Sequence, residues 1–477
     1  MTVPSWVPTP AGMQLRGWTA ATYRTASQDV TMRSTVIALA VLDQAPSWPR
    51  LRERLDRLTR LVPVLRMRPV RLAAGAPRLI LDPDFDLDIH VRRYRLPEDV
   101  GWPGVLDDAR RMSLTDFDAS RPLWEAVLVE GLPNGQAAFL LKLHHSIADG
   151  QATVLMALSL FEFSPESSTT EPEPPVVPAA PDIRGVDVQI ADLVDNARRG
   201  IGLAVAAARF AGDTVRGTMR DPVGTLSAAA ANLSSIGRVA EVPVGAKSPV
   251  LTGRGSTYRF ATLNLPFTDL RSAAKSRGMS INDAFLAAIG AGLDAYHRRH
   301  GAAVSDLRIN VPISLRGDPG DRSGGQSNAV AIARFLMPIG GLTVDERMQA
   351  AHDLVASWRA EPAMKLADPL ADISWFVPVP MLAAAARASD ITASNVPGPP
   401  VPLYLAGARM IAAYPLVATI GAAVSVTMVT YDGTAFLGVS ADDRAVRDLD
   451  TLVTDLAGGF ADITGRWPSL GEPSAAS

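Results

Sequence analysis

The stretch His144-His145-Ser146-Ile147-Ala148-Asp149-Gly150 carries the strongest indication of fold and chemistry in this chain. An apolar run at 137–143 precedes it and is typical of a buried strand, whereas residues 153–161 have the spacing of a helix. A histidine at a strand-to-helix junction can point its ring into a cleft while the sheet holds its backbone. Because imidazole titrates near neutral pH, such a ring suits a general base that acts on a hydroxyl.

The two adjacent histidines are expected to have different surroundings. Neighbouring residues of an extended backbone point to opposite sides, so one ring faces the cleft and the other faces the scaffold. Asp149 can hold a cationic partner or a backbone donor and so fix the loop, and Gly150 lets the backbone approach closely or adopt positive φ. A zinc site is disfavoured, because neighbouring histidines chelate poorly and no third ligand recurs nearby.

Several other chemistries lack their sequence signals. The chain contains no cysteine, which excludes disulfides, thiolate metal sites and a cysteine nucleophile. It contains no Gly-x-Ser-x-Gly elbow, no Gly-x-x-x-x-Gly-Lys loop and no Gly-x-Gly-x-x-Gly after a strand. A base without a covalent nucleophile remains, and this suits direct transfer of an acyl group to a hydroxyl.

Length and composition indicate a globular protein of two domains. A chain of 477 residues is too long for one compact core, and its 47% hydrophobic residues suffice for two. A net charge of -3 gives no concentrated cationic face, so no nucleic-acid partner is expected. No secretory signal and no apolar stretch of about 18 residues are recognised, so no transmembrane segment is expected. We expect a cytoplasmic protein, with peripheral attachment to a membrane or lipid droplet left open.

The composition divides the chain into three parts. Residues 1–163 are predicted to form a first domain with the histidine pair, and residues 251–477 a second domain. Between them, residues 164–250 hold a linker rich in Pro, Glu, Ser and Thr, followed by an alanine-rich helical segment at 184–240. That segment either packs on the main body or lies on a lipid surface through its apolar face.

Periodicity predicts an alternation of strands and helices in both domains. The predicted strands are 33–42, 85–91, 124–129, 137–143, 258–265, 307–314, 329–337, 424–430 and 435–440. The predicted helices are 48–61, 103–114, 280–300 and 448–463.

Several blocks of the chain resemble one enzyme family. The stretch from His144 to Gly150 matches the His-His-x-x-x-Asp-Gly motif of CoA-dependent acyltransferases related to chloramphenicol acetyltransferase. Residues 117–125 resemble the Pro-Leu-Trp block of the bacterial wax ester synthase/diacylglycerol acyltransferase family. Further blocks resemble that family in its own order, namely Phe85-Asp86-Leu87 with His90-Val91, Ser280-Ile281-Asn282-Asp283, Val311-Pro312-Ile313-Ser314-Leu315-Arg316, Ser394-Asn395-Val396-Pro397-Gly398-Pro399 and Thr430-Tyr431-Asp432-Gly433. The match is weak at 15–18 and at 248–256.

The resemblance implies an α/β fold of two chloramphenicol-acetyltransferase-like domains. Each would be a mixed sheet flanked by helices, with a channel between them that admits acyl-CoA from one side and an alcohol from the other. It implies that His145 is the catalytic base, that His144 supports the loop and that Asp149 shapes the site. The oxyanion donor stays open between a backbone N–H and a hydroxyl of the second domain.

The resemblance also implies substrate-binding roles for Gly150, Asn282 and Asp283. A structural alternative stands beside this for the last two, because Ser280 is a plausible N-cap and Asp283 its partner in a capping box. No metal is implied, and no cofactor apart from acyl-CoA as the substrate.

Three functions follow as hypotheses. The first is an acyl-CoA-dependent O-acyltransferase that makes triacylglycerol from diacylglycerol, wax ester from a long-chain alcohol, or both. The second keeps the chemistry but takes the acyl group from a carrier protein or acylates a glycolipid. The third is a non-catalytic lipid-binding homologue.

Overall fold

The computed structural model contains two large mixed sheets with helices packed against them, and one small sheet. It describes residues 12–70, 76–97, 99–147, 156–166, 173–180, 190, 193–195, 197, 247–314, 330–359, 375 and 377–471. The predicted residues Asp149 and Gly150, and nearly all of the alanine-rich segment 184–240, lie outside these ranges.

The first sheet has six strands in the order β12-β13-β2-β7-β6-β5. In chain order these strands are β2 (Thr35–Leu42), β5 (Val91–Arg95), β6 (Trp124–Glu130), β7 (Ala137–His144), β12 (Tyr404–Leu405) and β13 (Ala408–Val417). β5 and β6 are parallel, whereas β2 pairs antiparallel with both β7 and β13. A small sheet beside it is made of β1 (Met13–Gln14), β3 (Met67–Val70) and β4 (Arg78–Leu81).

The second sheet has seven strands in the order β10-β9-β11-β14-β15-β8-β16. In chain order they are β8 (Tyr258–Pro266), β9 (Asp306–Ser314), β10 (Val330–Pro338), β11 (Ile391–Val396), β14 (Val424–Tyr431), β15 (Thr434–Asp442) and β16 (Ser469–Leu470). β11 runs parallel to both β9 and β14, so this sheet is mixed as well.

Helices cover both sheets. In the first half of the chain, which we take as the residues before 247, they are α1 (Gly17–Gln28), α2 (Trp48–Leu61), the single turn α3 (Leu87–His90) and α4 (Gly101–Leu114). In the second half they are α5 (Phe267–Ser276), α6 (Ile281–Arg299), α7 (Val344–Arg359), α8 (Val379–Arg387) and α9 (Leu449–Thr464). α6 and α9 pack so closely at Gly459 that a Cβ there would clash with the carbonyl oxygen of Ala288.

The chain returns from the second sheet to the first through β13. This strand pairs with β2 over 410–417, and its Tyr414 hydroxyl lies 3.0 Å from the Asn264 amide nitrogen of the second sheet. The two sheets lie close together at Gly438, where a Cβ would clash with the carbonyl oxygen of Pro415. The predicted domain limits stay a prediction. They place β13 in the second domain, although this strand belongs to the first sheet.

The structure confirms most of the predicted elements. Helix 48–61 has the predicted limits, and strands 124–130 and 137–144 each extend one residue beyond the prediction. The predicted strand 85–91 is wrong, because residues 87–90 form the helical turn α3 and β5 starts only at Val91. The cause is local: the Asp86 carboxylate accepts a hydrogen bond from the Asp88 backbone and caps the turn.

Candidate active site

The histidine pair lies where β7 ends, at the edge of the first sheet. His144 is the last residue of the strand, and its backbone N–H donates to the Leu123 carbonyl (3.1 Å). The His145 N–H donates to the Ser34 carbonyl (2.7 Å), and the Ile147 N–H closes a turn on the His144 carbonyl (3.0 Å). Backbone bonds therefore fix both residues, while strand alternation sends their rings to opposite sides.

The His144 ring is buried in the scaffold. Its centroid lies 5.7 Å from each of the Tyr23 and Phe117 rings. The Ser146 backbone N–H donates to its Nδ1 (3.1 Å), and the Ser146 hydroxyl lies 2.7 Å from the same atom. Nδ1 is therefore the acceptor, and the neutral ring carries its proton on Nε2. Burial is the main cause that lowers the pKa of His144 to about 3, with the charges of His145 and Lys142 as smaller causes.

A buried cation lies beneath His144 on the same face of β7. The Lys142 side chain is fully buried, and its Nζ lies 3.0 Å from both the Glu125 carboxylate and the Thr115 carbonyl. The same ammonium lies 4.1 Å from the centroid of the Phe117 ring, which packs edge-on against His144. Burial lowers the pKa of Lys142, and Glu125 opposes this effect.

His145 has a different environment. Its side chain is only partly buried, and among the described residues none hydrogen bonds to its ring. The imidazole therefore combines a fixed backbone with a partly exposed ring. Its role as a general base stays a prediction.

The segment that supports His145 is also where the two halves meet. One residue before Ser34, the Arg33 guanidinium donates to the Ser256 carbonyl of the second half (3.2 Å). One residue after it, the Thr35 carbonyl accepts from the Ala418 N–H (2.9 Å). His145 thus lies at the junction of the halves.

The Asn282-Asp283 pair lies at the start of α6, in the second half. Asp283 is buried, and its carboxylate accepts the Ser280 N–H (2.8 Å) while its own N–H donates to the Ser280 hydroxyl (3.2 Å). His352 Nδ1 lies 3.0 Å from the same carboxylate. The capping box expected as the structural alternative is confirmed, and a role of either residue in substrate binding stays a prediction.

A cavity of about 580 Å³ lies beside the residues that pack beneath His144. Phe117 and Glu125, which contact His144 and Lys142, are part of its wall, whereas His145 is not. Three arginines around it are paired with carboxylates, so it carries no excess of positive charge. These pairs are Arg92 with Glu125, Arg111 with Asp108 and Arg121 with Asp118.

Sequence reasoning missed Lys142, Phe117 and Ser146 as supports of the histidine pair. The signal for Lys142 is its position two residues before His144, because side chains two apart on a strand share a face. In the part of the chain that the structure describes, no group of three His, Asp or Glu residues could hold a metal ion. Of the helices in those same ranges, none has the length and apolarity to cross a membrane.

Comparison with protein families identifies the chain. The model of the wax ester synthase/diacylglycerol acyltransferase catalytic domain matches residues 15–285, and the model of the C-terminal domain of the same family matches residues 326–464. The chain belongs to this family. It is therefore an acyltransferase.

Individual relatives agree with this assignment. A candidate diacylglycerol O-acyltransferase of Mycobacterium tuberculosis is 34% identical over 450 residues, covering 90% of this chain and 88% of the relative. A second such protein of the same organism, tgs1, is 27% identical over 456 residues, covering 90% of each chain.

Solved structures share the fold. The wax ester synthase/diacylglycerol acyltransferase of Marinobacter aquaeolei VT8 has a TM-score of 0.59 at 19% identity, covering 94% of this chain and 98% of the other. The starter condensation domain of rhizomide synthetase, solved with C8-CoA and Leu-SNAC, also has a TM-score of 0.59, at 13% identity, covering 95% and 94%. The expected α/β architecture of two mixed sheets flanked by helices is confirmed.

Proposed function

We propose that the protein transfers an acyl group from acyl-CoA to the hydroxyl of diacylglycerol and so forms triacylglycerol. The family description also names a wax ester synthase, so the proposal includes a long-chain alcohol as a second acceptor. The observation that carries the proposal is the partly exposed imidazole of His145, fixed through its backbone at the junction of the two halves. It is supported by the names of the relatives, which describe diacylglycerol O-acyltransferases.

In the proposed mechanism, His145 acts as the base in a single displacement. The acceptor oxygen attacks the thioester carbonyl carbon, the C–O bond forms and the hydroxyl proton passes to the imidazole. The C–S bond then breaks, and the leaving CoA thiolate takes that proton. His145 is thereby neutral again at the end of each cycle, and the reaction needs no cofactor.

His144 would act as a support. Because its ring stays neutral and Nδ1 accepts the Ser146 N–H, it holds the turn that presents His145. By the family resemblance, Asp149 would shape the site and Gly150 would take part in substrate binding. Because diacylglycerol and long-chain alcohols reside in lipid phases, the proposal includes reversible contact of a cytoplasmic protein with a membrane or lipid-droplet surface.

The test is an assay of purified protein with palmitoyl-CoA and either dioleoylglycerol or hexadecanol. We expect triacylglycerol or wax ester to form together with free CoA, and His145→Ala to lower kcat by a factor of about 100 or more without a change in the unfolding midpoint. His300→Ala is the matched control. It also removes an imidazole, but one that lies outside the motif, where it hydrogen bonds to the Tyr296 carbonyl at the end of α6. Free CoA without a neutral lipid, or full activity of His145→Ala, would contradict the proposal.

A further inference from the structure

The second sheet has an inner face, opposite α6, of which only part is covered by the first sheet. Strand alternation places Gly438 and Asn264 on this face, where they meet β13 through Pro415 and Tyr414. The strands β11, β9 and β10 continue the same face beyond β13. Their inward-facing side chains are half-buried or exposed, in contrast to the buried apolar residues that the same strands turn toward α6.

On the part of this face that β9 and β10 form, two polar groups are buried without a hydrogen-bond partner among the described residues. They are Nε of Arg334 on β10 and Oδ1 of Asn310 on β9. The register of the strands puts these two residues directly opposite each other. A buried donor or acceptor that stays unpaired costs about 1–3 kcal/mol, so a pair of them side by side indicates a place for a polar ligand.

The charge of this place favours an anion. The guanidinium of Arg334 is largely buried, and the charge that acts on it from the described residues is that of another cation, Arg308. Burial, and then this repulsion, lower the pKa of Arg334. Arginine binds phosphate with two parallel hydrogen bonds, and an anion would relieve both the repulsion and the unpaired Nε.

The neighbours of Arg334 on β10 indicate that the anion belongs to a larger molecule. Ile332 and Leu336 lie two residues to either side on the same face and are 39% and 46% exposed. An apolar border around a buried cation suits a phosphate on a long, partly apolar molecule better than a free inorganic ion.

The position along the sheet connects this place with His145. Asn310 pairs with Thr392 at the start of β11, which is level with the start of β14. The chain reaches β14 from Ala418, whose N–H donates to the Thr35 carbonyl. The neighbouring Ser34 carbonyl accepts the His145 N–H. β10 is three strands from β14, a lateral distance of about 15 Å at the usual strand spacing.

We propose that Arg334 binds a phosphate group of the acyl-CoA donor, and that the Asn310 amide oxygen opposite it accepts a hydrogen bond from a hydroxyl or N–H of the same molecule. This rests on the proposed function, because acyl-CoA carries its phosphates at one end and the reacting thioester at the other. The inner face of the second sheet would then hold the nucleotide end of the donor, while the thioester reaches His145 at the junction.

The test compares palmitoyl-CoA with palmitoyl-pantetheine, which has the same thioester but no nucleotide and no phosphate. For Arg334→Met we expect KM for palmitoyl-CoA to rise about tenfold or more, with kcat little changed and with unchanged kinetics for palmitoyl-pantetheine. Arg334→Lys keeps the charge and should retain most of the preference for palmitoyl-CoA. The control Arg277→Met removes an arginine that pairs with Asp345 beside α5, and should change neither donor.

Equal loss with both donors, or no loss with either, would overturn the proposal. Calorimetric binding of CoA without an acyl group keeps the test independent of turnover and of the proposed function. Weaker binding by Arg334→Met than by the wild type supports the site, and equal binding rejects it. Dephospho-CoA then distinguishes the 3′-phosphate from the pyrophosphate, and Asn310→Ala replaces Arg334→Met if that variant does not fold.

Discussion

The ion pair beneath His144 is asymmetric, and this leads to an unusual prediction for stability. The Lys142 side chain is fully buried, whereas that of Glu125 is 27% exposed and lies 3.5 Å from Arg92. Glu125→Gln removes the negative charge beside a buried ammonium, whose contacts are then the Thr115 carbonyl, the neutral amide oxygen of the new side chain and the Phe117 ring. A buried charge that loses its partner costs about 3–5 kcal/mol.

The reverse substitution should cost much less. In Lys142→Met an apolar chain of similar length fills the buried space, and the Glu125 carboxylate keeps access to water and to Arg92. The loss is then about 1–2 kcal/mol, mainly from the hydrogen bond to the Thr115 carbonyl and the contact with the Phe117 ring. Glu125→Gln should therefore destabilise the protein more than Lys142→Met.

The pH dependence checks the cause. Burial already lowers the pKa of Lys142, and loss of the opposing Glu125 lowers it further. Between this lowered pKa and the unfolded value of about 10.4, the unfolded chain binds more protons than the folded one, so stability rises with pH. The deficit of Glu125→Gln relative to the wild type should therefore be largest near pH 7 and shrink toward pH 10.

The assay is urea unfolding followed by both circular dichroism and tryptophan fluorescence, with coincident midpoints as the requirement for a two-state reading. Arg92→Met is the control. Its side chain is 59% exposed, so we expect a change below about 1 kcal/mol. A cost of Lys142→Met as large as that of Glu125→Gln, or a deficit that stays constant from pH 7 to 10, would refute the reasoning.

Three further predictions concern stability and the candidate site. Gly459→Ala should destabilise the protein by about 1–3 kcal/mol, because the new Cβ clashes with the Ala288 carbonyl. Gly458→Ala, whose Cβ makes only an ordinary contact with the Trp467 ring, should stabilise it by up to about 1 kcal/mol. Thermal melts measure both changes. Because the pKa of His144 is about 3 when folded and about 6.5 when unfolded, stability should fall as pH drops from 6.5 toward 3. His144→Gln should flatten this dependence in urea melts at pH 4–7, and an unchanged slope would contradict the assignment. Asp283→Ala should remove the cap of α6 and lower the free energy of unfolding by about 1–2 kcal/mol, whereas a raised KM at unchanged stability would instead favour substrate binding.

Features that depend on local pattern were predictable from the sequence. Alternation and turn residues gave the β6–β7 hairpin, and helical spacing gave helix 48–61 with its observed limits. The Ser280–Asp283 capping box was also predictable, because both of its hydrogen bonds lie within four residues. The opposite directions of the two histidine rings follow from the geometry of an extended backbone alone.

Features that depend on partners distant in sequence were not predictable. The pairing of β13 with β2 joins residues separated by more than 350 positions, and neither this pairing nor β13 itself is among the predicted elements. The role of Lys142 depends in the same way on Glu125 and Phe117, which are brought beneath it by the sheet. Whether Asn282 and Asp283 approach a substrate likewise depends on packing between distant segments.

The return of β13 to the first sheet bears directly on the site. The motif lies entirely in the first half, yet the segment that holds His145 is completed by the second. β2 would be an unprotected edge strand without β13, because its hydrogen-bonding groups on that side pair with residues 410–417. Directly after β13, Ala418 bonds to Thr35, next to the Ser34 carbonyl that receives the His145 N–H. The position of the proposed base is therefore a property of the joined halves.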